Sequence, residues 1–209
     1  MGIAAIGFSK DEVGKGNDNK IESTVIQNQR CWLYYTSSDG EIIKPNRSSS
    51  FDAAILSNTC KDGIGIIEFN APITTIGDSA FLNCSSLTSV TIGDSVTMVG
   101  GGAFASCSSL HDFNGKFASA DGRCLIIDGV LGSFAPAGLT EYTIPDSVST
   151  IGSDAFAGCS SLTSITIPDS VTRIGDYAFL GCSCLTSVTI PDSVSTICDG
   201  AFEDWSSLT

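Results

Sequence analysis

The chain has 209 residues, 42% of them hydrophobic, and a formal net charge of −13. This is enough to bury a sizeable core, but no run approaches the roughly 18 apolar residues of a membrane-spanning helix, so we expect no membrane insertion. The excess of negative charge repels phosphate groups, so neither nucleic acid nor an anionic membrane is expected as a partner. The charge is concentrated after residue 63: residues 64–209 hold three Lys and Arg against fifteen Asp and Glu. Such a surface favours basic proteins or cations.

The first 20 residues carry no structural pattern. Gly, Lys, Asp and Asn are scattered through them, so we expect residues 1–20 to be disordered or derived from an expression vector. The apolar run at residues 3–8 is too short for a signal-peptide core, and no basic residue precedes it. We therefore expect the export signal of the natural protein to have been removed.

Residues 21–63 do not repeat and are interpreted as an N-terminal cap. Two strand-like stretches, residues 31–36 and 41–44, flank the dipeptide Asp39-Gly40, which is a strong hairpin signal. We predict a β-hairpin here that covers the exposed end of the following repeats.

A 23-residue repeat organises the remainder, residues 64–209. The segment IGSDAFAGCSSLTSITIPDSVTR at 151–173 is followed directly by IGDYAFLGCSCLTSVTIPDSVST at 174–196. A repeat of this length is typical of a solenoid, in which each unit buries its apolar face against its neighbours. Within a unit, Ile165 and its flanking hydroxyl residues alternate as in a half-buried strand, and Pro168 ends that strand.

The same pattern recurs along the repeats and predicts one parallel sheet of about six strands. At roughly 4.8 Å per strand the sheet would be about 30 Å long. Phenylalanine and cysteine form columns beside the strands. Strand starts are Ile64, Leu87, Leu110, Leu139, Leu162 and Leu185; the columns are Phe81, Phe104, Phe156, Phe179 and Phe202, and Cys84, Cys107, Cys159 and Cys182. Leu208 would open a further unit as the chain stops, so we expect a fragment of a longer protein.

The unit AFxxCxSLTSVTIPDSVTxIG resembles the BspA-like class of leucine-rich repeats, found in surface and secreted proteins of host-associated bacteria and some parasitic protists. The resemblance covers residues 64–209. It implies a right-handed leucine-rich-repeat solenoid with a concave parallel sheet and short helical turns opposite, which the predicted N-terminal β-hairpin cap precedes. It also implies a cell-surface or secreted protein with a role in adhesion or protein binding, without a reaction or a cofactor. Two departures are Trp205, which replaces a column cysteine, and the unit at 110–138, which lacks Ala-Phe-x-x-Cys.

The long unit at 110–138 contains a second hairpin signal, Asp128-Gly129, between two apolar stretches. The hairpin is predicted to project from the solenoid or to lie along it. Insertions on a rigid scaffold often carry binding, whereas a variant unit that only continues the sheet is the simpler interpretation.

The column cysteines are interpreted as buried thiols. For an exported protein, Cys31 with Cys60, or Cys184 with Cys198, remain possible disulfide pairs.

The aspartates Asp94, Asp146, Asp169 and Asp192 form another column, which either closes turns or holds calcium. Their Asp-Ser-Val contexts also resemble an acceptor motif of bacterial O-glycosylation. We predict turns and no metal site.

No catalytic motif is present. The single histidine, His111, has no recognisable nucleophile motif around it, and HExxH, Gly-x-Ser-x-Gly and a phosphate-binding Gly-rich loop are absent from the sequence. We therefore expect a protein that is not an enzyme.

The solvent-facing side of the predicted sheet is the candidate binding surface. Short hydroxyl side chains in ladders lose little entropy on docking, and acidic residues in the middle would orient a basic partner. The predicted binding residues are Asp112, Asn114, Glu141, Thr143, Ser164, Thr166, Ser187 and Thr189, with the first four as the centre. We expect a monomer that binds a basic host or extracellular matrix protein.

Other interpretations remain open. Ser and Thr are good solvent-facing strand residues without any binding role. A glycan-binding module would use exposed aromatic residues such as Trp32, Tyr34 or Phe134. A passive spacer displaying another domain would also explain the near-identical repeats.

Overall fold

A computed structural model describes residues 31–205, which form a β-solenoid of about five turns. Each regular turn supplies one strand to each of two sheets and a tight turn around its Ala-Phe pair. Residues 31–205 contain no α-helix, and a 3-10 helix, Ser48–Ser50, lies before the repeats. The solenoid predicted from the repeats is confirmed. The short helical turns predicted opposite the sheet are instead non-helical turns.

The described residues form fifteen strands. They are β1 Trp32–Ser37, β2 Ile55–Lys61, β3 Ile64–Phe69, β4 Thr75–Ile76, β5 Leu87–Thr91, β6 Met98–Val99, β7 Asp112–Asn114, β8 Cys124–Ile127, β9 Val130–Phe134, β10 Glu141–Thr143, β11 Thr150–Ile151, β12 Ser164–Thr166, β13 Arg173–Ile174, β14 Ser187–Thr189 and β15 Thr196–Ile197.

A hairpin lies N-terminal to the repeats, as predicted, but it is built from β2 and β3, and β1 separates it from the first repeat strand, β5. The turn of the hairpin is Asp62-Gly63, with φ of 53° and 77°, backbone angles that Asp-Gly adopts readily. The predicted partner stretch 41–44 is not a strand, because its backbone bonds side chains instead. The N–H of Ile43 donates to the Tyr35 hydroxyl at 3.2 Å. Strand β1 lies between β3 and β5 and is antiparallel to both.

The repeat strands form two parallel ladders and not one six-stranded sheet. Strand β5 pairs with β7, and β10, β12 and β14 form a separate three-stranded sheet. The break follows from the long unit, whose residues 119–124 pass between β7 and β10. The carbonyl of Gly122 accepts a hydrogen bond from the N–H of Phe113 at 2.7 Å. The strand that begins at Ile64 is also not parallel, since it belongs to the hairpin.

A second sheet runs along another side of the solenoid and is also broken at the long unit. Strands β4 and β6 form its first part, and β9, β11, β13 and β15 form its second part. The predicted Asp128-Gly129 hairpin is confirmed as β8 and β9, with φ of 49° and 77° in its turn. It lies along the solenoid, because the N–H of Ser149 donates to the carbonyl of Gly129 at 2.8 Å.

The Ala-Phe turns stack through the backbone. In three of these turns the phenylalanine N–H donates to the alanine carbonyl of the following turn: from Phe81 to Ala103 at 2.7 Å, from Phe156 to Ala178 at 2.8 Å and from Phe179 to Ala201 at 2.9 Å. The long unit has no such turn, so the turns on either side of it meet directly. There, the N–H of Ser106 reaches the carbonyl of Ala157 at 3.1 Å. The long unit therefore contributes strands to both sheets of the solenoid, but it contributes no turn to the stack of Ala-Phe turns.

The phenylalanine column forms the spine of the core. Phe156 and Phe179 stack with ring centroids 5.0 Å apart, and Phe81 and Phe104 stack at 5.2 Å. The core divides into an N-terminal and a C-terminal cluster, which meet at the long unit. The interruption in both sheets thus coincides with a division of the hydrophobic interior.

The predicted thiol column lies beside this spine. The Cys107 thiol donates to the carbonyl of Phe81 at 3.1 Å, and the Cys182 thiol to that of Phe156 at 3.2 Å. Trp205 takes the same role in the last turn, since its indole N–H donates to the carbonyl of Phe179 at 3.0 Å. The residue that departs from the cysteine pattern therefore keeps the hydrogen bond. In this structure Cys60, Cys184 and Cys198 carry thiols, without the disulfides considered above.

We predict that native thiol reactivity is confined to cysteines outside the column. Burial raises the pKa of Cys107 and of Cys182 to about 12, so almost no thiolate forms at pH 8, whereas Cys184 is exposed. Iodoacetamide at pH 8 followed by peptide mass mapping should alkylate Cys184 within minutes and leave Cys107 and Cys182 unmodified until urea is added. Equal labelling of Cys184 and Cys182 in the folded protein would contradict the buried column.

Candidate binding surface

The three parallel strands β10, β12 and β14 present two rows of side chains to solvent, which we call the hydroxyl ladder. The register is exact across the three strands, so that residues two apart in each strand form parallel rows. The inner positions between the rows, Tyr142, Ile165 and Val188, contribute to the C-terminal core cluster. The first row is Glu141, Ser164 and Ser187, the second is Thr143, Thr166 and Thr189, and all six residues are exposed.

The hydroxyl groups of this ladder have unused hydrogen-bonding capacity. Neighbouring hydroxyls are engaged by the backbone: Thr163 Oγ1 donates to the carbonyl of Thr140 at 3.0 Å. By contrast, the side chains of Ser164 and Thr166 form no hydrogen bond with any residue in the described range 31–205, and the same holds for the other four ladder residues. A hydroxyl offers one donor and two acceptor sites, so the ladder can bond a partner without first breaking an internal contact.

The structure does not bring all eight predicted binding residues together. Asp112 and Asn114 lie on β7, in the N-terminal sheet, and are half-buried. Asp112 Oδ2 lies 2.6 Å from Nδ1 of His111, so this carboxylate already has a partner. Residues 119–124 separate β7 from Glu141 and Thr143, so the predicted four-residue centre is not contiguous.

Asp121 fills part of that gap and was not singled out from the sequence. Its carboxylate accepts hydrogen bonds from the Ser119 hydroxyl at 2.6 Å and from the Tyr142 hydroxyl at 3.1 Å. Partial burial acts to raise the pKa of Asp121, but the bonds from Ser119, from the Arg123 N–H and from Tyr142 outweigh it and lower that pKa. Asp121 is therefore ionised at neutral pH and ties the inserted segment to β10. A Ser-x-Asp spacing was its only local signal, and it does not reveal a partner 21 residues away.

The aromatic residues considered for glycan binding fall in different environments. Trp32 and Tyr34 share one face of β1, opposite Glu68 and Ile66 of β3, and Tyr34 is 40% exposed. Phe134 is only 3% exposed and packs against Phe156, so it takes no part in any surface.

The acidic residues of the described part do not converge. Among residues 31–205 no three His, Cys, Asp or Glu side chains are arranged to hold a metal ion, and the column Asp94, Asp146, Asp169 and Asp192 is exposed. Within the same range no helix is long and apolar enough to cross a membrane.

The repeats match a known family. Residues 17–119 and 132–209 match the BspA type leucine rich repeat region in six copies, so the chain belongs to the BspA-type leucine-rich-repeat family. The residues between the two matched segments, 120–131, belong to the inserted part of the long unit. Leucine-rich-repeat solenoids of this family are found in bacterial surface proteins and are generally not enzymes.

Solved structures similar to this chain come from bacterial leucine-rich-repeat proteins. A leucine-rich cell surface protein of Faecalibacterium prausnitzii is 26% identical with a TM-score of 0.48, over 66% of this chain and 44% of that one. The leucine-rich-repeat protein of T. pallidum is 29% identical with a TM-score of 0.38, over 66% and 51%. The pneumococcal vaccine antigen PcpA is 25% identical with a TM-score of 0.47, over 52% and 29%.

The aligned region is about half or less of the length of these three proteins. None of the curated proteins matches the chain.

Proposed function

We propose that this chain is a non-enzymatic protein-binding module of a bacterial cell-surface or secreted protein, and that it contacts a basic host or matrix protein through the hydroxyl ladder. The observation that carries the proposal is the ladder itself: six exposed side chains in exact register, none of them hydrogen-bonded within residues 31–205. Family membership supports the same class of function.

The charge distribution favours a basic partner. Glu141 is the only charged residue of the ladder, and Asp121 lies at its N-terminal border, bonded to Tyr142 of β10. No Lys or Arg is present in the ladder, and residues 64–209 carry three basic against fifteen acidic side chains. Complementary charge accelerates encounter and orients the partner, while the short hydroxyls supply contacts at low entropic cost.

Binding to a panel of purified extracellular matrix and serum proteins tests this proposal. We expect at least one basic protein to bind saturably, with an affinity that falls as salt rises from about 0.05 to 0.5 M because exposed charges are screened. Glu141→Lys should weaken that binding at least tenfold by placing like charges together. Binding that is unaffected by both salt and Glu141→Lys would contradict a basic partner at the ladder. A folded sample that binds nothing on the panel would favour a spacer role.

A glycan-binding role is the second candidate. Trp32 and the 40% exposed Tyr34 lie on one strand face beside the carboxylate of Glu68, an arrangement of the kind that stacks against sugar rings. A glycan array with wild type and Tyr34→Ala separates the two functions, since Tyr34→Ala should leave protein binding at the ladder unchanged.

A further inference from the structure

The second sheet obeys a simple hydrogen-bonding rule from one layer to the next. In each layer two carbonyl groups accept backbone N–H groups from the layer that follows. The carbonyl of Thr74 accepts from Thr97 at 2.8 Å and that of Ile76 accepts from Gly100 at 2.8 Å. Beyond the long unit the carbonyls of Gly129, Leu131, Ser149, Ile151, Thr172 and Ile174 accept in the same way.

The rule fails at β6. Within residues 31–205 no backbone N–H donates to the carbonyl of Thr97 or of Val99. The strand that should follow, β9, pairs with β8 on that side, so that among the strands of residues 31–205 β6 pairs with β4 alone. The edge of β6 therefore carries the same unpaired acceptors that guide strand addition at an exposed sheet edge.

An apolar cleft accompanies this open edge. It lies between β6 and the β8–β9 hairpin, has a volume of about 250 Å³, and contains side chains from both strands of the hairpin. Met98 and Val130 are 58% and 40% exposed there. Cofactor and drug-sized sites usually have about 300–1,000 Å³, so this volume suits one or two aliphatic side chains instead. The lining residues are Thr97, Met98, Val99, Leu125, Ile127, Asp128, Val130 and Gly132.

The charge of the cleft defines its occupant. Among the lining residues within 31–205, Asp128 at the tip of the hairpin is exposed and is the only charged residue, and none of them is Lys or Arg. The surrounding solenoid is strongly acidic as well. A partner segment with basic residues is therefore complementary, whereas an acidic segment is repelled.

We infer that the cleft is a second binding site, distinct from the hydroxyl ladder, which accepts an extended basic-apolar peptide segment by strand addition to β6. Peptide N–H groups donate to the carbonyls of Thr97 and Val99. An aliphatic side chain enters between Met98 and Val130, and an adjacent Lys or Arg pairs with Asp128. Main-chain bonds supply the attachment and the cleft selects the side chain, as in other cases of β-strand addition.

The test uses 15N-labelled protein and the acetylated, amidated pentapeptide Lys-Val-Lys-Val-Lys, titrated by NMR. We expect saturable shift changes at the amides of residues 97–100 and 125–132. The same peptide N-methylated at both valines should bind at least tenfold more weakly, because it has lost its backbone donors. A Glu-Val-Glu-Val-Glu peptide should not bind.

Protein variants assign the contacts. Met98→Lys should weaken binding at least tenfold, whereas Thr172→Lys, which adds the same charge at an exposed position outside both the cleft lining and the hydroxyl ladder, should leave it unchanged. Asparagine also tolerates the positive φ at position 128, so Asp128→Asn keeps the turn. It should weaken binding about 2- to 5-fold, as expected for the loss of an exposed ion pair. No saturable change up to millimolar peptide, or equal binding of the N-methylated peptide, would overturn the inference. Neither result bears on the ladder, which Thr166→Lys tests separately.

Discussion

Replacing Phe156 with alanine should lower the free energy of unfolding by about 3–5 kcal/mol. The ring is fully buried and lies between Phe134 and Phe179, with centroid distances of 4.7 and 5.0 Å. The solenoid stacks these rings in a column, so neighbouring layers cannot collapse into the space without breaking the backbone bonds between turns. Urea denaturation followed by circular dichroism measures the loss.

Thr166→Ala is the matched control, since Thr166 is exposed in the same repeat unit, 151–173, and its loss should change stability by less than about 0.5 kcal/mol. Because the core divides into two clusters, hydrogen exchange in Phe156→Ala should accelerate more in residues 130–197 than in residues 33–90. A loss below about 1 kcal/mol, or uniform acceleration along the chain, would contradict the stacked and divided core.

Replacing Gly65 with alanine should destabilise the N-terminal cap by about 3 kcal/mol. A Cβ there would lie 1.9 Å from the Cζ atom of Tyr35, a side chain that is 1% exposed. Its hydroxyl donates to Asn58 at 3.0 Å and accepts from the Ile43 N–H, so displacing the ring also breaks these bonds. Overpacking costs about 1–3 kcal/mol and each hydrogen bond adds about 1 kcal/mol.

Gly93→Ala is the control for Gly65→Ala, because the nearest atom to its added Cβ is 3.9 Å away. Stability of that variant should stay within about 0.5 kcal/mol of the wild type. The double variant Gly65→Ala with Tyr35→Val should lose less stability than the sum of the two single variants, since the clash is then absent. Additive losses in the double variant would show that the ring over Gly65 is not the cause.

The repeats could be predicted from the sequence because each layer repeats the same local pattern. A 23-residue period and alternating residues such as Ser164, Ile165 and Thr166 determine which side chains face inwards, and the exposed rows of β10, β12 and β14 followed correctly. The Asp128-Gly129 hairpin was also predictable, since its signal is local.

The interruptions could not be predicted because they depend on contacts distant in sequence. Nothing near Gly122 indicates that its carbonyl bonds Phe113 and displaces the neighbouring ladder strand. The N-terminal hairpin was assigned to the wrong Asp-Gly dipeptide, because the two candidates have similar local signals. Strand β1 pairs with residues more than 25 positions away, and this pairing decides between them.

The hydroxyl ladder is the protein-binding surface that we propose for this chain. A comparison of Thr166→Lys with Thr172→Lys, for affinity to a basic protein identified on the matrix and serum panel, tests this role. Both residues are exposed and both changes add one positive charge, but Thr166 lies in the ladder and Thr172 immediately precedes β13 of the second sheet. We expect Thr166→Lys to weaken binding at least tenfold and Thr172→Lys to change it less than twofold. Equal affinities in the two variants would contradict a binding role for the ladder.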